Sequence, residues 1–104
     1  MKQFDIYLVE LNPGIGSEIH KTRPCVIISP DEVNKHLKTV VVAPVTHTIK
    51  NFPSRVPSII NDQRGEIVLD QIRAIDKIRL KKKLGTLDKQ TGLNIKSVMK
   101  TMFS

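Results

Sequence analysis

The chain has 104 residues, with 17 Lys plus Arg against 10 Asp plus Glu, a formal charge of +7 and a pI near 9.8. That fits one domain, residues 1–104, with a modest core and a bias toward polyanionic partners. The lone Cys25 forbids an intramolecular disulfide, the three histidines lack metal-ligand spacing, and no apolar run approaches the ~20 residues that span a bilayer. The amino-terminal Met1–Asp5 has no signal-peptide character either, so the expectation is a cytoplasmic protein with no membrane segment, no metal and no cofactor.

Phe4 to Leu11 alternates, and Val9 and Leu11 make its second face apolar, which reads as a buried first strand. Asn12-Pro13-Gly14 ends it. The next stretch, Ser17-Glu18-Ile19-His20-Lys21-Thr22-Arg23-Pro24, gathers an acid, an imidazole, cations and hydroxyls ahead of the apolar Cys25-Val26-Ile27-Ile28. Chemically varied residues at the mouth of a strand are placed to meet a ligand, whereas ordinary loops use Gly, Asn and Ser for turning. A solvated hairpin is the competing reading. Pro24 marks the start of the strand and Pro30 its end. Asp31 to Asn34 reads as one helical turn, too short to stand alone.

Thr39 to Val45 is the strongest strand signal, β-branched throughout except for Ala43-Pro44, with Pro44 requiring an edge or a bulge. Thr46-His47-Thr48 emerges from its end. Val56 to Ile60 reads as an edge strand because of Pro57, Asn61 to Gly65 as a hairpin turn, and Glu66 to Leu69 as a further strand running into Asp70-Gln71-Ile72-Arg73. Lys77, Arg79, Lys81, Lys82 and Lys83 are five cations with no acid among them. They read equally as a track for a phosphate backbone and as a solvated turn before a last short strand, Leu84 to Leu87. Asp88 caps a terminal helix with Ile95, Val98, Met99, Met102 and Phe103 on one face, and Gly92 costs it ~1 kcal/mol relative to alanine, so the helix depends on burying that stripe. Short strands with turn signals and one terminal helix describe a small, bent, antiparallel β-barrel, mainly β with a C-terminal helix.

Three polar clusters, around Arg23, Thr46 and Asp70, each sit at a strand end. Cys25 lies in an apolar strand, which disfavours it as a nucleophile, and Gly14-Ile15-Gly16 is too little for a phosphate loop. Aromatic residues at 4% weigh against a surface of stacked bases, so nucleic-acid contacts should fall on phosphates. A cation with hydroxyl and amide donors can hold a phosphodiester and stabilise added negative charge, and RNA brings its own nucleophile in the 2′-hydroxyl. Arginine stays protonated at any working pH, which assigns Arg23 to phosphate and transition-state stabilisation. The base stays open between Glu18, His20 and a water.

Taken together, Asp5-Ile6-Tyr7-Leu8-Val9, Leu11-Asn12-Pro13, Gly16-Ser17-Glu18, Lys21-Thr22-Arg23-Pro24, Ala43-Pro44-Val45-Thr46, and Leu69-Asp70-Gln71-Ile72-Arg73 through Asp76-Lys77 resemble, in order and spacing, the MazF/PemK family of toxin endoribonucleases. The resemblance implies an SH3-like, CcdB-type barrel, a homodimer, and metal-independent cleavage of single-stranded RNA to 2′,3′-cyclic phosphate and 5′-hydroxyl ends. It also implies a cognate antitoxin with a flexible acidic segment suited to the basic surface. By position it assigns catalysis to Arg23 and Thr46, places Ser17, Glu18, His20 and Lys21 in the loop over the substrate, and sets Asp70 and Gln71 across the groove. Where some relatives carry an arginine two positions before that aspartate, this chain has Val68. Gyrase poisons of the CcdB type share the fold without being enzymes, so they form the alternative. The absence of Trp and the ending Met102-Phe103-Ser104 count against it. A basic barrel that only binds RNA is the remaining reading.

Overall fold

The computed structural model describes all 104 residues, Met1–Ser104. Seven strands form one sheet: β1 Asp5–Glu10, β2 Thr22–Ile27, β3 Thr39–Thr46, β4 Arg55–Ile60, β5 Gln63–Val68, β6 Arg73–Asp76 and β7 Leu80–Thr86. A helix α1, Asp31–His36, links β2 to β3, and α2, Lys89–Met102, follows β7. Every pairing is antiparallel, in the order β4-β5-β3-β2-β1-β7, with β6 on β3. The sheet curls without closing, and register shifts in the β1–β7 ladder add to its bend.

The three strand prolines are accommodated by alternation. Val41 accepts from Ile28 on the β2 side, so Pro44 turns its nitrogen to the opposite edge of β3. That edge pairs with β6 over Thr39–Val42 and with β5 at Val45 and Thr46, and Pro44 falls in the gap between them. The proline expected at an edge or bulge thus lies in the central strand. From Val45↔Ile67 to Val42↔Arg73, β3 advances three residues while the facing chain advances six, and the surplus is pushed out as a 3₁₀ turn, Leu69–Gln71. Pro24 lies inside β2 rather than at its mouth. Lys21 and Ile27 accept from the β1 side, so Pro24 faces the other edge, where pairing with β3 begins only at Cys25. Pro57 faces the open side of the edge strand β4.

Other boundaries move for identifiable reasons. Asn61 and Asp62 both have positive φ, 51° and 63°, which makes a two-residue hairpin turn and starts β5 at Gln63. Gly65 is therefore not a turn residue but a strand residue, and a Cβ there would lie 2.6 Å from the Thr46 carbonyl oxygen. α1 is longer than the expected single turn because Asn34 is buried and its amide is bonded to Ser29. β6 has no sequence signal, since its four residues carry a single buried apolar side chain, Ile75.

Both faces of the sheet are apolar. Ile6, Val26, Ala43, Val45, Ile67 and Leu69 pack with Ile95 of α2, flanked by Val98, Met99 and Met102. Phe103, expected on that stripe, is 67% exposed at the helix end. Gly92 gives the Phe4 ring its place, because a Cβ would lie 2.8 Å from ring carbon Cδ2. Inside the curl, Val9, Leu11, Cys25, Ile27, Val40, Val42 and Ile75 form a second cluster. No helix is long and apolar enough to cross a membrane.

Candidate functional site

Cross-strand partners share a face of a sheet. Tyr7, Cys25 and Pro44 therefore lie on the inner face with the pair Val9 and Arg23 and with the row Ile27, Val42 and Arg73. Thr46, two residues beyond Pro44, joins them. The β2–β3 ladder ends at Cys25↔Pro44, and the same register carried two residues further sets Arg23 against Thr46. Burial pushes the Cys25 thiol up to about 12 against the pull of the Arg73 and Arg23 guanidiniums, which both reach this row. The thiol is therefore neutral and inert, and the two cations are what the face offers a ligand.

Neither arginine has a carboxylate partner; the ion pairs involve Lys35, His36, Arg55 and Lys83. Arg23 is oriented through its Nε, which donates to the His20 carbonyl at 3.1 Å, and Arg73 through Nη1, which donates to the Leu11 carbonyl at 3.2 Å. Their other N–H groups have no protein acceptor. The Thr46 hydroxyl oxygen accepts from Thr48 N–H at 3.2 Å, which leaves its own proton to donate.

A cleft of about 390 Å³ opens beside Pro44 and Arg73, lined also by Pro13, Glu18, Ile19, Asp70, Gln71 and Ile72; Arg23 and Thr46 are not part of its lining. Gln71 spans it, accepting from Ile19 N–H at 2.7 Å and donating to the Ser17 carbonyl at 3.3 Å. Glu18 accepts from Ile15 N–H at 2.7 Å through Oε1. His20 and Lys21 stand exposed, the latter at φ 68° with its N–H donating to the Asn12 side chain. Asp70 is a bracket: it accepts from the Ser54 hydroxyl at 2.8 Å and lies 3.8 Å from Arg55 Nε.

Two features are not legible in the sequence. Arg73 belongs to the polar cluster after Leu69, but its place depends on β6, whose alternation is too short to read. The segment after Thr46 is fixed from below by Glu66, the cross-strand neighbour of Thr46, which is 2% exposed. Glu66 accepts from Lys50 N–H and Asn51 N–H at 3.0 Å each and from Arg55 Nη1 at 3.3 Å. The Lys50 N–H is the main cause that holds its carboxyl below the usual range, against the opposing effect of burial. Arg55 in turn lies 5.0 Å from the Phe52 ring centre. The run Lys77 to Lys83 is not a continuous phosphate track, because Lys77 is bonded to the Asn34 carbonyl, Arg79 to the Glu10 and Asn12 carbonyls, and Lys83 to Asp5. No three His, Cys, Asp or Glu side chains gather as a metal-binding group.

A family model described as a PemK-like, MazF-like toxin of type II toxin-antitoxin system matches residues 2–103. The chain is similar to Endoribonuclease MazF of Staphylococcus saprophyticus, with 40% identity over 92 residues that cover 81% of this chain and 75% of that protein. It is 35% identical to Endoribonuclease MazF of Staphylococcus epidermidis, covering 95% of this chain and 88% of the relative. Among solved structures, MazF from Deinococcus radiodurans matches with a TM-score of 0.85 at 20% identity, covering 99% and 96% of the two chains. An endoribonuclease in complex with its cognate antitoxin from Mycobacterial species matches at 0.84 and 24% identity, over 99% and 94%. At such identities the structural likeness shows the fold, a mainly β curled barrel with a C-terminal helix.

Proposed function

This chain belongs to the PemK-like, MazF-like toxins of type II toxin-antitoxin systems, and from that premise we propose that it is an endoribonuclease that cuts single-stranded RNA, without a metal ion, at the cleft beside Arg23 and Thr46. The observation that carries this reading is the pair of guanidiniums, Arg23 and Arg73, on one sheet face without a carboxylate partner. A phosphodiester is the anion whose geometry matches their N–H forks.

In the reaction the RNA 2′-oxygen attacks the adjacent phosphorus and the bond from phosphorus to the 5′-oxygen breaks, leaving a 2′,3′-cyclic phosphate and a 5′-hydroxyl. Arg23 and the free Thr46 proton stabilise the charge that grows on the non-bridging oxygens. The proton lost from the 2′-hydroxyl passes to water, to His20 or to the uncommitted oxygen of Glu18, and the leaving 5′-oxygen takes a proton in turn. Asp70, in the wall of the cleft, braces the strand after Ser54.

The test is incubation of the protein, freed of any antitoxin, with a long single-stranded RNA in EDTA. Discrete cuts with cyclic phosphate ends are expected. Arg23→Ala should lose roughly 10²- to 10³-fold in rate, the loss typical of one transition-state donor, with an unchanged circular dichroism spectrum. Uncut RNA from the folded protein would overturn the reading and turn attention to topoisomerase inhibition.

The active form is proposed to be a homodimer restrained by a cognate antitoxin with a flexible acidic segment. The formal charge of +7 suits such a segment, and one structural neighbour is itself bound to its antitoxin. β6 pairs only with β3, and Ile78 just beyond it is 80% exposed, which supports isologous pairing at that edge. Light scattering reads the mass directly.

A further inference from the structure

We propose that Gln71 is a positioning residue that sets the geometry of Arg23 through the loop between β1 and β2; the catalytic half of this statement rests on the endoribonuclease reading above. The base of the loop is tied at both ends: Leu11 N–H donates to the Lys21 carbonyl, Lys21 N–H to Asn12 Oδ1, and Arg79 to the Asn12 carbonyl. Its tip is tied only to itself, by the reciprocal bonds between Ile15 and Glu18. Between tip and base, the hydrogen bonds that join residues 13–20 to the rest of the protein are the two made by Gln71 and the one made by Arg23 to the His20 carbonyl.

These contacts form one chain of cause. Gln71 stands on the 3₁₀ turn anchored by fully buried Leu69, whose N–H donates to the Ser54 carbonyl at 3.1 Å. Its amide supplies one acceptor, for Ile19 N–H, and one donor, for the Ser17 carbonyl. The loop so held presents the His20 carbonyl to Arg23 Nε, and a guanidinium with its Nε committed has its remaining fork fixed in plane and direction. Only an amide meets both loop atoms. A carboxylate keeps the bond from Ile19 but repels the Ser17 carbonyl, and alanine makes neither bond.

Gln71→Ala and Gln71→Glu, each in the full chain, test this. Misplacement of a reacting group by about 1 Å costs on the order of 10²-fold in rate, so Gln71→Ala should lower the cleavage rate at saturating RNA by roughly 10- to 100-fold. Affinity for a 2′-deoxy analogue that cannot be cut should change less than about threefold, since the lost effect is realised in the transition state. Gln71→Glu should fall between Gln71→Ala and the parent. In the RNA-free protein, the Arg23 Nε–H signal in nitrogen-15 NMR should exchange with water faster in Gln71→Ala while the unfolding midpoint stays near that of the parent. An unchanged Arg23 signal in a folded Gln71→Ala variant would overturn the proposal, as would a loss of analogue affinity with altered cutting sites, which would make Gln71 an RNA-reading residue. If the parent protein cuts no RNA, the NMR comparison still decides whether Gln71 orients Arg23, and the endoribonuclease reading fails separately.

Discussion

Replacing Glu66 tests whether a buried carboxylate holds the segment that follows Thr46. Glu66 is 2% exposed and serves two backbone N–H groups at 3.0 Å and the Arg55 guanidinium, itself 11% exposed. Glu66→Ala removes the acceptor of all three donors and leaves Arg55 with Asp70 alone. Removing one member of a buried pair costs about 3–5 kcal/mol, and because Arg55 keeps Asp70 at 3.8 Å the lower end applies. At about 4–5 °C per kcal/mol for a chain of this length, the midpoint should drop by about 12–15 °C. Glu66→Gln keeps one acceptor oxygen but turns a donor toward a donor, for a loss of about 2 kcal/mol. Thermal unfolding followed by circular dichroism, at matched protein concentration, reads the midpoint shift, and urea unfolding the free-energy loss, of both variants. A Glu66→Ala variant within about 1 kcal/mol of the parent would refute the reasoning, since removing one member of a largely buried pair is the costly outcome of such a change.

Gly92→Ala should destabilise although alanine is the better helix former: propensity gains ~1 kcal/mol, while forcing a Cβ to within 2.8 Å of the Phe4 ring costs about 1–3 kcal/mol in overpacking. A higher unfolding midpoint would contradict this. Acid should unfold the protein through Asp5 and Glu66. Burial pushes Asp5 up, but the Lys2 N–H, the Thr86 hydroxyl and Lys83 outweigh it, and both carboxyls lie below their ordinary values of 3.8 and 4.5. A depressed folded value means that the stability they contribute is complete above the ordinary values and is lost as pH falls through the depressed ones. The urea midpoint should therefore be level down to about pH 5 and fall below about pH 4, and a midpoint unmoved at pH 3 would exclude these groups. Binding of uncut RNA should weaken linearly in log salt, with a slope lower by about 0.7 in Arg73→Gln if Arg73 neutralises one phosphate of a single strand. An unchanged slope would remove Arg73 from the phosphate contacts.

Much of the sheet was legible in the residues because β-branched alternation and proline placement act locally. Val40 to Val45 reads as a strand, and Pro57 reads correctly as the mark of an edge. What stayed illegible depends on partners distant in sequence. α1 extends because Asn34 meets Ser29, β6 exists because the first half of β3 has a free edge, and three cations of the Lys77–Lys83 run are spent on oxygens elsewhere. The same division runs through the candidate site: Arg23 and Thr46 read in sequence as a cation and a hydroxyl near strand ends and take their proposed roles from the family resemblance, while Arg73 and Glu66 acquire meaning only from cross-strand neighbours.

Pro44 joins the two levels. Its missing N–H obliges β3 to do without a ladder partner on one side, and there the facing chain bulges outward by three residues. The bulge carries Asp70 and Gln71 out of the sheet and leaves a cleft whose floor includes Pro44 itself. One of these residues braces the segment from Ser54 and the other reaches the loop that orients Arg23. A residue that reads in isolation as a strand defect is thus the reason the sheet has an opening there. A regular residue at position 44 would favour continuous pairing from β6 into β5, which would close the cleft that Arg73 lines.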